Sequence, residues 1–105
     1  MEKDIEQYCE KLKRYYDSEG RLTQYPSKRP MRILALARIA LKFDTASKYT
    51  EKEVNQIVRD SIAFSDIELI RREMYQYHFI DRLRDGSQYW AEPDWKTKYR
   101  EYLYD

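Results

Sequence analysis

Residue types that usually catalyse reactions or bind metals are scarce in this 105-residue chain. It holds one histidine, His78, and one cysteine, Cys9, whereas a zinc site needs three or four converging His, Cys or carboxylate ligands. Its two glycines, Gly20 and Gly86, are too few for a glycine-rich phosphate loop. The 19 acidic residues include no pair that the sequence marks as a buried acid and base. We therefore expect a protein that is not an enzyme and that uses no cofactor or metal.

The one cysteine and the one histidine are better explained by packing. Cys9 falls on an apolar helical stripe and His78 stands between two aromatic residues, so we expect packing or boundary positions for both. A single cysteine cannot form an internal disulfide and suits a reducing cytosol. No apolar run approaches the length of a membrane span, and the charged N-terminal segment lacks the features of a secretory signal. We expect a cytoplasmic protein without membrane contact.

Anion binding is the chemistry that the basic residues favour. The chain has 20 Lys and Arg against 19 Asp and Glu, and a formal charge of +1 gives no global attraction to nucleic acid. Residues 21–48, however, hold seven basic residues and one acidic residue. Arg71 and Arg72 form a second basic group, and Arg82 and Arg84 form a third. Guanidinium groups donate to phosphates and to guanine edges, which makes all three groups candidates for nucleic-acid contacts.

The segment YHFIDRLRDGSQYW, residues 77–90, predicts a β-hairpin. Two short apolar and aromatic runs meet at Asp85–Gly86, which is a strong turn signal between strands. Arg82 and Arg84 stand just before this turn. Because one face of a two-stranded hairpin must pack on the helices, we expect Trp90 to anchor that face rather than to stack on bases.

A central helix is predicted by MRILALARIALKF, residues 31–43, where apolar residues lie nearly all round the helix. Pro30 is tolerated in a first helical turn, and Ser27 is a candidate N-cap. Four basic residues fall within about a third of the circumference. They form a basic stripe that is either a solvated face or an anion-binding face: Lys28, Arg32, Arg38 and Lys42.

Two capping boxes predict two further helices. Thr50 with Glu53, and Ser65 with Glu68, fit the S/T-x-x-E pattern directly before an apolar helical pattern. Arg71 lies at the border of the apolar face of the second helix, where a structural ion pair also fits its position. That apolar face consists of Ile67, Ile70, Met74 and Tyr77. The opposite face carries Glu68, Arg72, Tyr75 and Gln76.

Two segments flank this region. Residues 3–16 show the apolar spacing of a helix, and Gly20 fits a helix stop. An extended piece over residues 21–25 follows. After Pro93, apolar and aromatic residues recur at helical spacing and predict a terminal helix with Trp95, Tyr99, Tyr102 and Leu103. This tail either packs back on the domain or pairs with a second copy.

The predicted order is helix, extended piece, three helices, hairpin and terminal helix, in one domain over residues 1–105. Two short helices joined by a tight connection and followed by a hairpin are typical of a winged helix-turn-helix, whose wing is the hairpin. We therefore predict an α+β, mostly helical winged-helix fold. The helix over residues 66–77 is the predicted recognition helix.

Several stretches resemble a known bacterial family. PSKR, YTEKEVN, RRE and DGSQYW occur in this order within residues 12–91, and they resemble the bacterial domain of unknown function numbered 2087. The first ten residues and the C-terminal tail, residues 92–105, lie outside this resemblance. It implies a winged-helix-like fold. It also implies an association with transcriptional regulators, because some members stand beside a helix-turn-helix of the arsenic-repressor type.

These predictions converge on a non-enzymatic DNA-binding or transcription-regulator-like module, with double-stranded DNA as its partner. The residues expected to bind nucleic acid are Lys28, Arg29, Arg32, Arg71, Arg72, Tyr75, Gln76, Arg82 and Arg84. The alternative is a winged-helix interaction or dimerisation domain that binds itself or another regulator through its tail, since large aromatic side chains favour interfaces. The residues of that alternative interface are Trp95, Tyr99, Tyr102 and Leu103.

Overall fold

The computed structural model describes residues 13–103, except the side chain of Leu103. Within this range it shows a small α+β fold of five α-helices and a three-stranded antiparallel sheet. Most of the predicted helix over residues 3–16, with Cys9, lies outside the described residues, and its end is a 3-10 turn, Lys13–Tyr15. No helix in residues 13–103 combines the length and apolarity needed to cross a membrane.

The chain before the first α-helix follows the surface of the core in an irregular path. Gly20 has a φ of +79°, which glycine adopts without steric cost, and it turns the chain after the 3-10 segment. The predicted extended piece over residues 21–25 is not a full strand. Only Leu22 makes β-type bridges, antiparallel to Tyr16 and parallel to Ile62.

The central helix α1, Arg29–Ala40, is buried on nearly its whole circumference, as its all-round apolar pattern predicts. Its N-cap is Lys28, which makes no side-chain capping bond, so the predicted Ser27 cap is wrong. Pro30 fixes a helical backbone in the first turn and removes one amide that would need a cap. Seven residues of α1 are buried: Ile33, Leu34, Ala35, Leu36, Ala37, Ile39 and Ala40.

Helix α2, Glu51–Ser61, begins where its capping box predicts. Thr50 Oγ1 accepts a hydrogen bond from the Glu53 amide at 3.1 Å, and Glu53 Oε1 accepts one from the Thr50 amide at 2.8 Å. These bonds satisfy two amides that a helix start would otherwise leave unpaired. Val54 and Val58 then point into the core with no exposed area (0%).

Helix α3, Ile67–Gln76, packs against both α1 and α2. Its cap is Asp66, whose Oδ1 accepts from the Leu69 amide at 3.2 Å, so the predicted Ser65 cap is wrong. Aspartate caps a helix as well as serine does, which moves the helix start by one residue. The inward face holds the fully buried side chains Ile70 and Met74. The polar face predicted for this helix therefore points away from the core.

His78 reverses the chain after α3. Its φ of +63° lies in the left-handed region, where histidine is one of the more frequent non-glycine residues. The Phe79 amide donates to the Met74 carbonyl at 2.9 Å, and the Phe79 side chain enters the core with no exposed area (0%). We expect a packing or boundary position for His78, and the structure places its side chain at the exposed surface.

The predicted hairpin is confirmed. Strand β2, Ile80–Arg82, pairs antiparallel with strand β3, Tyr89–Ala91, and Arg82 lies opposite Tyr89. The connecting loop includes Gly86 with a φ of +75°, a conformation that a side chain rarely allows. The Gly86 amide donates to the Leu83 carbonyl at 2.9 Å and closes the turn.

A third strand completes the sheet. Strand β1, Lys48–Tyr49, pairs with β3 and gives the order β1-β3-β2. The residue pattern does not predict β1, because two residues are too few to show alternation. Along β3, Tyr89 and Ala91 are buried, whereas the Trp90 ring lies under Lys48 Nζ at 4.7 Å. The buried anchor of the hairpin is therefore Tyr89 rather than Trp90.

Two short helices, α4 (Trp95–Lys98) and α5 (Arg100–Leu103), replace the single terminal helix that the spacing predicts. The Phe79 ring contacts the Trp95 ring at a centroid distance of 5.3 Å and the Tyr99 ring at 4.9 Å. Trp95 and Tyr99 keep only 3% and 4% of their surface exposed. The tail therefore packs back on its own domain.

Replacing Leu36 with alanine is expected to lower the free energy of unfolding by about 2–5 kcal/mol, because the change opens a cavity at a fully buried position. Leu41→Ala is the matched control, since Leu41 follows the same helix but is 43% exposed. The control should change stability by less than about 0.5 kcal/mol. Urea unfolding followed by circular dichroism measures both, and equal losses would contradict the central position of α1.

Candidate nucleic-acid interface

A pocket of about 330 Å³ lies where α3 faces the hairpin and the first turn of α2. We call it the arginine pocket, and its lining residues are Glu51, Arg71, Arg72, Tyr75, Gln76, Arg82 and Tyr89. Five of the nine residues predicted to contact nucleic acid meet here: Arg71, Arg72, Tyr75, Gln76 and Arg82. The other four lie elsewhere: Lys28, Arg29, Arg32 and Arg84.

The outward face of α3 supplies the accessible part of the pocket. Arg72, Tyr75 and Gln76 are exposed, and Tyr75 keeps 42% of its surface open to solvent. Their orientation follows from helical spacing, because Ile70 and Met74 occupy the opposite side and are fully buried. An accessible guanidinium, amide and phenol on one helical face form a set of donors suited to base edges and phosphates.

Arg71 has a different environment from its neighbour Arg72. Its side chain is only 16% exposed, and its Nη1 donates to Asn55 Oδ1 at 2.6 Å. Its Nη2 lies 3.9 Å from Glu51 Oε1. Arg71 therefore joins α3 to α2, and its charge is shared with a carboxylate inside the pocket.

Glu51 links the helical part of the pocket to the hairpin. The Tyr89 hydroxyl donates to Glu51 Oε1 at 3.1 Å. Burial and this hydrogen bond to the Glu51 carboxylate raise the pKa of Tyr89, and the charges of Arg71 and Arg82 act in the opposite direction. Tyr89 thus remains a hydrogen-bond donor at neutral pH. The nine predicted nucleic-acid-contacting residues do not include Glu51 or Tyr89. Two sequence signals could have pointed to them, because Glu51 directly follows the helix cap Thr50 and Tyr89 lies in the second strand of the predicted hairpin.

The hairpin contributes Arg82, whose guanidinium lies over the Tyr75 ring at 5.1 Å from the centroid. Its Nη1 also donates to the Arg84 carbonyl at 3.4 Å. The ring contact joins the hairpin to the outward face of α3, and both contacts restrict the orientation of the Arg82 side chain. The Arg84 side chain itself is exposed in the loop.

Three residues predicted to contact nucleic acid lie near the start of α1, and two of them contact other residues of the protein. Lys28 is exposed. The Arg29 guanidinium lies 5.2 Å from the Tyr77 ring centroid, and a hydrogen bond to Tyr102 raises its pKa. Arg32 Nε donates to the Pro26 carbonyl at 2.6 Å.

Arg32 also belongs to a network that joins α1 to α3. Its guanidinium lies 4.7 Å from the Tyr25 ring centroid and 3.7 Å from Glu73 Oε1. The Tyr25 hydroxyl donates to the same Glu73 oxygen at 2.9 Å. Burial and this bond to the Glu73 carboxylate raise the pKa of Tyr25 well above its usual range. The Arg32 guanidinium therefore contacts a ring, a carboxylate and a backbone carbonyl of the protein itself.

Two further residues of the predicted basic stripe also make contacts within the protein. The Arg38 guanidinium lies 4.4 Å from the Tyr16 ring centroid, and Lys42 Nζ donates to Ser61 Oγ at 2.8 Å. Burial lowers the pKa of Lys42. Arg32, Arg38 and Lys42 thus contact other parts of the protein, although Lys42 and Lys28 are also exposed.

Three of the four residues of the predicted protein interface are described, and they are buried or half-buried. Trp95 and Tyr99 are buried against Phe79, and Tyr102 is half-buried. The side chain of Leu103 lies outside the described part of the structure. In residues 13–103, no cluster of three or more His, Cys, Asp or Glu side chains could hold a metal ion.

Comparison with known proteins finds a family match over most of the chain. The model of a family described as an uncharacterized protein conserved in bacteria, domain of unknown function 2087, matches residues 21–91. The match starts at Arg21, and it includes every residue that lines the arginine pocket. No curated protein and no solved structure shows significant similarity to the chain.

The two adjacent arginines should differ in their effect on stability. Arg71→Ala is expected to lower the free energy of unfolding by about 1–3 kcal/mol, because it leaves Asn55 without its charged donor. Arg72→Ala should change it by less than about 0.5 kcal/mol, since Arg72 is exposed. Urea unfolding of both variants measures the difference, and a larger loss for Arg72→Ala would contradict these assignments.

Proposed function

We propose that this chain, which belongs to the bacterial family called domain of unknown function 2087, is a winged-helix module that binds double-stranded DNA without catalysing a reaction. The order of elements supports the proposal: the helix pair α2 and α3 is followed directly by the β2–β3 hairpin. In such an arrangement the second helix of the pair enters the major groove and the hairpin acts as the wing.

The single observation that carries the proposal is the meeting of α3 and the hairpin at the arginine pocket. An α-helix with its side chains is about 10–12 Å across, which fits a major groove about 12 Å wide, and the ten residues of α3 extend over about 15 Å. Its exposed side chains include Arg72 and Gln76. The paired donors of an arginine match the two acceptors of a guanine edge, and the donor and acceptor of a glutamine amide match an adenine edge. Arg82 reaches the same surface from the wing.

The remaining candidates divide into two roles. Lys28, Arg29 and Arg84 are exposed, and we assign them to phosphate contacts. Arg32 is held by Glu73, so we assign it to positioning α3 rather than to direct contact. Arg71 joins α3 to α2 through Asn55 and lies beside Glu51 in the pocket, so we assign it to positioning α3 and not to contact with a base edge.

Acidic residues limit the strength of this interaction. The first turn of α3 carries Glu68 next to the capping Asp66, and the chain as a whole has a formal charge of +1. Few phosphates are then neutralised, so we expect modest affinity and a shallow dependence on salt. A module of this kind would act together with a transcriptional regulator or a second DNA-binding element.

The alternative of a protein-interaction domain that uses the tail receives less support. Trp95 and Tyr99 fill the protein's own core around Phe79, so their rings are not available to a partner without opening that core. The accessible aromatic ring of Tyr75 belongs to the arginine pocket instead.

Arg72→Ala is expected to weaken binding of a mixed-sequence duplex by about 1–3 kcal/mol, because Arg72 would contact a base edge or a phosphate. Arg100→Ala is the matched control, since Arg100 is exposed on the tail and outside the pocket. Fluorescence anisotropy at low and physiological salt measures both affinities. Equal affinity of the two variants would reject α3 as the recognition helix, and no binding by the unmodified protein at low salt would reject the function.

A further inference from the structure

The arginine pocket holds more positive charge than its own carboxylate can balance. Three guanidinium groups, those of Arg71, Arg72 and Arg82, line it together with one carboxylate, that of Glu51. Like charges that share a pocket repel each other, and the repulsion grows where solvent is partly excluded. An anion that enters the pocket would remove this repulsion and gain charge-assisted hydrogen bonds.

Glu51 occupies the place where such an anion would bind. Its Oε1 accepts from the Tyr89 hydroxyl at 3.1 Å and lies 3.9 Å from Arg71 Nη2. The helix start does not need this side chain, because Thr50 and Glu53 cap α2. Glu51 is also 50% exposed, so its carboxylate has room to move toward solvent.

The loop of the hairpin borders this site. A methyl group placed on Gly86 would lie 3.4 Å from Arg82 Nη1 and 3.9 Å from Glu51 Oε1, so the loop backbone stands beside both charged groups. The hairpin thus brings Arg82 toward the same carboxylate that Arg71 approaches from α3. An oxygen-rich anion at this point would face donors from both sides.

We propose that the arginine pocket is a binding site for a phosphate group and that Glu51 is an internal competitor for it. The phosphate would accept hydrogen bonds from Arg71, Arg72, Arg82 and the Tyr89 hydroxyl, and the Glu51 carboxylate would turn outward. Phosphate fits better than a carboxylate because its additional oxygens and greater negative charge match several guanidinium donors at once.

Two sources of phosphate share this chemistry. One is the DNA backbone, in which case the inference rests on the proposed function. The other is a free phosphate ester, which would make the pocket a ligand site that does not depend on DNA. The volume of about 330 Å³ is large enough for a phosphate with part of an attached group.

Titration of the labelled protein with inorganic phosphate, with chloride replaced at constant ionic strength, tests the proposal. The side-chain Nε–Hε signals of the three pocket arginines and the Tyr89 amide signal should shift and saturate together. Glu51→Gln is expected to tighten phosphate binding by about fivefold or more, because it removes the competing charge. Arg72→Gln should weaken binding by about tenfold, because it removes donors from an exposed position.

Glu68→Gln is the matched control for Glu51→Gln. Each glutamate lies in the first turn of a helix, so the two changes cost a similar interaction with the helix dipole and alter net charge equally. Glu68 does not line the pocket, and its removal should change phosphate affinity by less than about twofold. Equal effects of the two variants, or shifts that never saturate, would overturn the proposal.

A duplex titration in the presence and absence of phosphate separates the two sources. Loss of duplex binding as phosphate saturates the pocket would assign the site to the DNA backbone. Duplex binding that phosphate does not reduce, or phosphate binding without any duplex binding, would assign it to a free phosphate ester, and the second result would also reject the proposed function. Duplex binding without a phosphate site would overturn this inference alone.

Discussion

The burial of α1 on nearly its whole circumference is the constraint on which the rest of the structure depends. Apart from its narrow basic stripe this helix is apolar, so the rest of its circumference must be covered, because each exposed apolar side chain would lose its transfer free energy. Helices α2 and α3 and the terminal α5 supply this cover. Because Ile70 and Met74 of α3 are buried in the core that surrounds α1, the helical repeat places the opposite side of α3 toward solvent. Arg72, Tyr75 and Gln76 must then face outward.

Tyrosines form much of the boundary of this small core, and several of them contact charged residues there. The chain has 11 tyrosines, and many lie at the boundary where a ring can pack and a hydroxyl can still find a partner. Tyr25 and Tyr89 donate to glutamates, and Tyr99 donates to a backbone carbonyl. Guanidinium groups lie over several other rings, as Arg38 does over Tyr16. Cations at the core boundary therefore have aromatic neighbours as well as ionic ones.

The sequence predicts elements that have local signals and misses contacts that depend on the assembled fold. Thr50 with Glu53 predicts the start of α2, and the turn at Gly86 predicts the hairpin, because both signals act over a few residues. Strand β1 has no such signal, since it exists only through its pairing with β3. Helical spacing also groups the pocket residues of α3 correctly. It does not reveal that Glu51 would lie beside Arg71, because that contact joins two separate helices.

Net charge is therefore a poor guide to what this surface can bind. The sequence charge of +1 is an average, and the fold separates charges that the sequence mixes. Arg32 is neutralised locally by Glu73, whereas Arg72 remains exposed. Glu51 stands between these extremes, because it balances part of the pocket charge from an exposed position. We therefore expect the position of the Glu51 carboxylate to affect how positive the surface between α3 and the hairpin becomes, and with it the affinity of that surface for anions.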